Sequence, residues 1–106
     1  MSIERDPIRL AIVDDHRMLL GALTEWIRGA ADDISMVAAV TTWPDLLTHP
    51  EFPVDVVLLD LDLKDNLPVS VKLRALKSAG VKTVLMSTYS EPVLVREAIA
   101  AVALGY

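Results

Sequence analysis

Five polar residues stand at or just beyond the ends of apolar runs in this chain. Asp14 and Asp15 follow IRLAIV, Asp60 and Asp62 lie in VDVVLLDLDL, and Ser87 ends KTVLMS. Adjacent carboxylates repel each other, so Asp14 and Asp15 are tolerable together where a cation sits against them or where solvent reaches them well. If the runs are parallel strands of one sheet, their carboxyl ends meet at one edge, and Asp14, Asp15 and Asp60 form an oxygen-rich pocket. Such a pocket suits a hard divalent cation, Mg²⁺ foremost. A carboxylate held against that cation can attack phosphorus, because the metal neutralises the incoming phosphoryl oxygens. Asp60, after the most apolar run, is the candidate nucleophile. The Ser87 hydroxyl is placed to hydrogen-bond one of those oxygens.

The elements that must position these residues follow from the apolar pattern. The runs Ile8 to Val13, Ser35 to Val40, Val54 to Leu59 and Lys82 to Ser87 read as strands, the third nearly continuous, as a strand covered on both faces requires. Between them the spacing predicts helices. Leu19, Leu20, Leu23 and Ile27 make one stripe, with Gly29 as its terminator. A short helix lies in WPDLLTHPEFP, bounded by Pro44, Pro50 and Pro53. Pro68 opens a third, with Val69, Leu73 and Leu76 on one face and Gly80 closing it. A fourth begins near Ser90 or Glu91, with Pro92 in its first turn, and carries Leu94, Val95, Ala98, Ile99 and Val102. A fifth strand starts at LGY, the last three residues. Alternating strands and helices with short connections predict an α/β fold, a doubly wound parallel sheet whose ligands bind at the strands' carboxyl ends.

Composition narrows the function classes. With 106 residues the chain is read as one domain, and with 53% apolar but only 5% aromatic residues its core must be aliphatic. The absence of cysteine excludes thiolate chemistry, Cys-based zinc sites and disulfides. A net charge of −5 argues against this segment gripping nucleic acid electrostatically. No run approaches the roughly 20 apolar residues of a membrane span, and MSIERDP lacks the apolar core of a signal peptide. A cytoplasmic domain is the expectation.

Taken together, IVDDH, VVLLDLDL, VLMST and AIAAVALGY resemble, in this order and across the chain, the receiver domain of a bacterial two-component response regulator. The histidine after the acidic pair is similar to the subfamily whose members carry a C-terminal LuxR-type helix-turn-helix. The resemblance implies a CheY-like (flavodoxin-like) fold with strand order 2-1-3-4-5. It implies that Asp60 takes a phosphoryl group from a sensor histidine kinase and that the domain is an acceptor rather than an enzyme. Asp15 would ligate Mg²⁺ directly, Asp14 mainly through water, and the Asp62 main-chain carbonyl would add a further ligand. Ser87 would be the switch hydroxyl and Tyr106 the switch aromatic. Two departures stand out. LKDNLP replaces the family's Pro-Gly-rich loop after the phosphoacceptor, and the family's phosphate-binding lysine would follow Tyr106 by three residues. The resemblance therefore makes residues 1–106 a receiver domain without its last strand and helix, with a DNA-binding effector domain following in a longer protein. DNA contact would come only through that effector. An open apolar sheet edge also predicts self-association or a homodimer.

Other polar and aromatic residues read as ordinary. His16 has no partner histidine at ligand spacing and reads as capping or solvated; His49 lies among prolines in a loop. Trp26 reads as a helix-face packing residue and Trp43 as a loop-packing one. Asp32 and Asp33 form a solvated turn, Thr88 is a small residue at the pocket rim, and Tyr89 either shades the pocket from water or makes an ordinary rim contact. Two alternatives are weighed against the receiver. One is a degenerate receiver that binds partners without phosphorylation, which the altered loop favours. The other is a haloacid-dehalogenase-like phosphatase, whose Asp-x-Asp motif DLDLKD also fits. That motif belongs to an early strand of a longer, capped chain, and here an acidic pair precedes it.

Overall fold

The computed structural model describes residues 7–30, 33–86, 97 and 99. Ser87, Thr88, Tyr89, Tyr106, most of the expected fourth helix and the expected fifth strand lie outside them. The element order is β1 (Ile8–Val13), α1 (Arg17–Ala30), β2 (Ile34–Val40), α2 (Trp43–Leu47), β3 (Val56–Asp60), α3 (Val69–Ser78) and β4 (Lys82–Met86). All strand pairs are parallel, in the order β2-β1-β3-β4. This is the expected 2-1-3-4 arrangement of a doubly wound, CheY-like sheet.

Side-chain alternation along the central strands divides the core in two. Leu10 and Ile12 of β1 and Val56 and Leu58 of β3 pack with Leu20, Leu23 and Ile27 of α1, and Ile99 joins them. Ala11, Val13, Val57 and Leu59 face the other way, against Trp43 and Leu46 of α2 and Leu76 of α3. Every residue of β3 is buried, which is why its sequence is an unbroken aliphatic run ending in one aspartate.

Local chemistry sets the helix ends. Thr42 caps α2, its Oγ1 accepting from the Asp45 amide at 3.2 Å, and Pro44 occupies the first turn. At the end of α3, Gly80 takes φ +76°. The Gly80 amide donates to Lys77 O at 3.0 Å and the Val81 amide to Leu76 O at 2.9 Å, the paired bonds of a Schellman motif. Leu76 and Val81 lie in the same core cluster, the apolar contact that accompanies that motif.

Three local expectations are corrected. Helix α1 runs through Gly29 to Ala30, because no left-handed turn is imposed there. Trp43 is not a loop residue: it opens α2 and is 6% exposed in the core. The buried face of α3 carries Lys72 along with Leu76, a cation that an apolar pattern does not mark.

Candidate functional site

The strand register brings the carboxylates together. β1 and β3 pair as Leu10↔Val56 through Val13↔Leu59, so the next step along both strands sets Asp14 beside Asp60. Parallel neighbours lie about 4.8 Å apart, and both side chains project to the same side of the sheet. The ladder continues past the strand ends: the Asp14 amide donates to Val40 O at 3.0 Å and the Leu61 amide to Met86 O at 2.8 Å. The backbone under the two aspartates is thus held from both flanks.

Each aspartate is then oriented by the turn that follows it. The His16 amide donates to Asp14 Oδ1 at 2.9 Å, and the Asp62 amide donates to Asp60 Oδ1 at 2.9 Å. Both are Asx-type turns, which Asp favours after a strand. In each case one carboxylate oxygen is fixed and the other is left over. Asp14 is 0% and Asp60 2% exposed, yet Asp14 Oδ2, Asp60 Oδ2 and Asp15 Oδ1 are buried atoms without a hydrogen-bond partner.

Three orphaned anionic oxygens at one sheet edge are costly, because a buried charge without a partner keeps most of its desolvation penalty. The cost shows in the acidity of Asp60. Burial raises its pKa, the Asp62 amide bond pulls it part of the way back, and the charges on Asp14 and Asp15 raise it again. A cation bound here would cancel the repulsion and satisfy the orphaned oxygens together. The donor set therefore fits a divalent metal ion, and the cluster is compatible with a metal site.

His16 was read from the sequence as capping or solvated, and its position is more specific than that. Its Nδ1 lies 3.3 Å from Asp14 Oδ1, 3.1 Å from Asp15 Oδ1 and 3.9 Å from Asp60 Oδ2. One donor atom from each of Asp14, Asp15, His16 and Asp60 lies within 4.8 Å of the others. The signal available in the sequence was adjacency: a residue two past Asp14 closes the Asx turn and folds back over the pair. Asp62 contributes its amide, while its side chain is exposed. His49 takes an ordinary loop role, accepting from the Glu51 amide at 3.1 Å.

The loop after β3 is braced by charge. Lys72 of α3 is 2% exposed and donates to Asp65 Oδ1 at 2.8 Å, while Asp65 Oδ1 also accepts from the Leu67 amide at 3.3 Å. The Lys72 hydrogen bond holds the Asp65 carboxyl below its ordinary pKa. This pair ties the LKDNLP segment to α3. Beside it, a cleft of about 170 Å³ runs from Asp15 between Trp43 and Lys64.

No family model and no curated protein matches the chain. Solved structures do match its fold. The RcsB response regulator of Salmonella typhimurium superposes with a TM-score of 0.77 at 13% identity, over 95% of this chain and 63% of that one. ChrA, the response regulator of a heme-sensing two-component system, gives 0.70 at 20% identity, over 95% and 59%. The receiver domain of the response regulator NarL from Mycobacterium tuberculosis gives 0.64 at 21% identity, over 94% and 77%. This chain thus spans less than two thirds of the RcsB and ChrA structures. Its fold is that of response-regulator receiver domains. Among the described residues no helix is long and apolar enough to cross a membrane.

Proposed function

We propose that residues 1–106 act as the phosphoacceptor receiver of a two-component response regulator, with Asp60 as the residue phosphorylated. The observation that carries this reading is the orphaned Asp60 Oδ2, buried at the carboxyl end of the central strand beside two further carboxylates. Asp14, Asp15 and Asp60 would hold Mg²⁺, and the Asp62 carbonyl would be a further ligand. When bound, the ion supplies positive charge against the oxygens of the incoming phosphoryl group.

The chain's own residues do the rest. The Asp62 amide fixes Asp60 Oδ1, so Oδ2 is the oxygen left to attack. It forms the new bond to phosphorus as the bond from phosphorus to the donor nitrogen of a kinase phosphohistidine breaks, and the donor imidazole leaves. Burial keeps bulk water from solvating Asp60 and blunting its nucleophilicity. Ser87 is proposed as the switch hydroxyl that responds to the added phosphoryl oxygens, and Tyr106 as the aromatic that moves with it. The domain is an acceptor, not a turnover enzyme. Its partners would be a sensor histidine kinase in the cytoplasm and, within the longer protein, a DNA-binding effector domain. Pairing of a sheet edge with a second copy is the route by which it would self-associate.

The phosphatase reading is less well supported, because an acidic pair, Asp14 and Asp15, precedes the Asp-x-Asp motif and lies against Asp60. Incubation with acetyl phosphate and Mg²⁺, followed by intact mass, tests the proposal. One phosphoryl group should be gained, and Asp60→Asn should abolish the gain. An unlabelled wild type favours a degenerate receiver, and steady hydrolysis of ordinary phosphomonoesters favours the phosphatase.

A further inference from the structure

The metal reading above treats the site as an oxygen cage, but one of its four clustered donors is a nitrogen. His16 follows directly on Asp15, and its amide bond to Asp14 Oδ1 turns the chain so that the imidazole lies over the carboxylates. Ligands on a cation with bonds of about 2.1 Å stand about 3.0 Å apart when adjacent in an octahedron and about 3.4 Å apart in a tetrahedron. His16 Nδ1 stands 3.3 Å and 3.1 Å from the nearest Asp14 and Asp15 oxygens and 3.9 Å from Asp60 Oδ2. The first two are the spacings of adjacent ligands on one ion, and the third closes to that range with a shift of about half an ångström.

A second observation points to a ligand. Asp14 and Asp60 are at least nine-tenths buried, each keeps a buried oxygen without a partner, and that of Asp60 faces His16 Nδ1 at 3.9 Å. The imidazole does not satisfy them: its Nδ1 approaches Asp14 Oδ1, which the His16 amide already occupies, and Asp15 Oδ1, and stands 3.9 Å from Asp60 Oδ2. The ring is partly open to water, with its side chain 46% exposed, so Nε2 can remain hydrated while Nδ1 faces inward.

We propose that His16 Nδ1 is a further protein donor to the cation held by Asp14, Asp15 and Asp60, which tilts the site toward borderline transition ions such as Co²⁺ and Ni²⁺. This rests on the metal reading of the site but not on phosphorylation. Mg²⁺ takes oxygen ligands and keeps its waters, so an imidazole adds little to its binding. Imidazole suits Co²⁺, Ni²⁺ and Zn²⁺ well. Because any such site favours those ions over Mg²⁺ to some degree, the informative quantity is the change in preference when the nitrogen is removed.

The experiment is titration of the 106-residue chain with Mg²⁺, Mn²⁺ and Co²⁺ alone, for wild type, His16→Ala and Asp60→Ala, with pulsed electron paramagnetic resonance of the Mn²⁺ form. His16→Ala should weaken Co²⁺ binding about tenfold or more while changing Mg²⁺ affinity by less than about threefold. The wild-type Mn²⁺ signal should carry a directly bound ¹⁴N coupling that His16→Ala lacks. Cation binding that Asp60→Ala abolishes, but with no ¹⁴N coupling and an unchanged Co²⁺-to-Mg²⁺ ratio in His16→Ala, overturns the role of His16 and leaves the carboxylate site standing. If none of the three ions binds wild type, or Asp60→Ala leaves their binding unchanged, the metal reading itself falls and the inference with it.

Discussion

Without a cation, the carboxylate cluster should be a measurable source of instability, and Asp60→Asn should relieve it. One carboxylate oxygen from each of Asp14, Asp15 and Asp60 lies within 4.8 Å of the others. Two unit charges at that separation repel by roughly 3 kcal/mol at an effective dielectric constant of 20. Part of this is already offset by the amides that bind Asp14 Oδ1 and Asp60 Oδ1, and part is relieved by proton uptake on Asp60. Asparagine keeps the acceptor for the Asp62 amide and adds a donor facing the orphaned Asp14 oxygen. A net gain of about 2 kcal/mol is expected, which raises the melting temperature of a domain this size by about 8 °C or more. The pH dependence follows from the raised pKa of Asp60. Between the ordinary value of 3.8 and the raised one, the folded state binds the extra proton, so wild-type stability falls as pH rises through that window. The advantage of Asp60→Asn should therefore be full at pH values above the raised pKa and fade toward the unfolded pKa. Thermal melts in EDTA, taken near neutrality and near pH 4, with Mg²⁺ added back, measure this directly. A variant that melts at or below wild type in EDTA at neutral pH would refute the claim that the cluster is strained by like charge.

Other outcomes follow from particular contacts. Asp65→Ala strands the buried Lys72 ammonium and should cost about 1–3 kcal/mol in denaturant unfolding, whereas the double change with Lys72→Met should recover much of it. Because Lys72 lowers the Asp65 pKa, that contribution is present above pH 3.8 and is lost as pH falls through the folded value. Gly80→Ala forces a side chain into the left-handed region at φ +76° and should cost about 1–2 kcal/mol in the same assay. The acidic chain should show no salt-sensitive binding to duplex DNA by fluorescence anisotropy; such binding would contradict the reading of its net charge of −5.

The sheet was legible because its central strands are buried on both faces, so VVLLD could hardly be anything but a covered strand ending in a carboxylate. β1 has the bounds expected, and the pairing of Asp14, Asp15 and Asp60 follows once parallel register is granted. What the sequence hid depends on tertiary context. Lys72 looks solvated in a helical pattern, and its bond to Asp65 in the loop after β3 makes its burial tolerable. Trp43 sits among prolines, and the Thr42 cap is what turns it into the helix facing the core. His16 lacked a histidine partner, so its meaning came only from the turn that folds it over its neighbours. Ser87 and Tyr106 lie outside the described residues, and their roles rest on the resemblance alone.

The central claim is that Asp60, and not a neighbouring carboxylate, takes the phosphoryl group. Borohydride reduction converts an acyl phosphate to an alcohol, turning a phosphorylated aspartate into homoserine at the position that was labelled. After treatment with acetyl phosphate and Mg²⁺, reduction and peptide mass mapping should find homoserine at position 60 and nowhere else. Homoserine at position 14, 15, 62 or 65, or at none, would contradict the account.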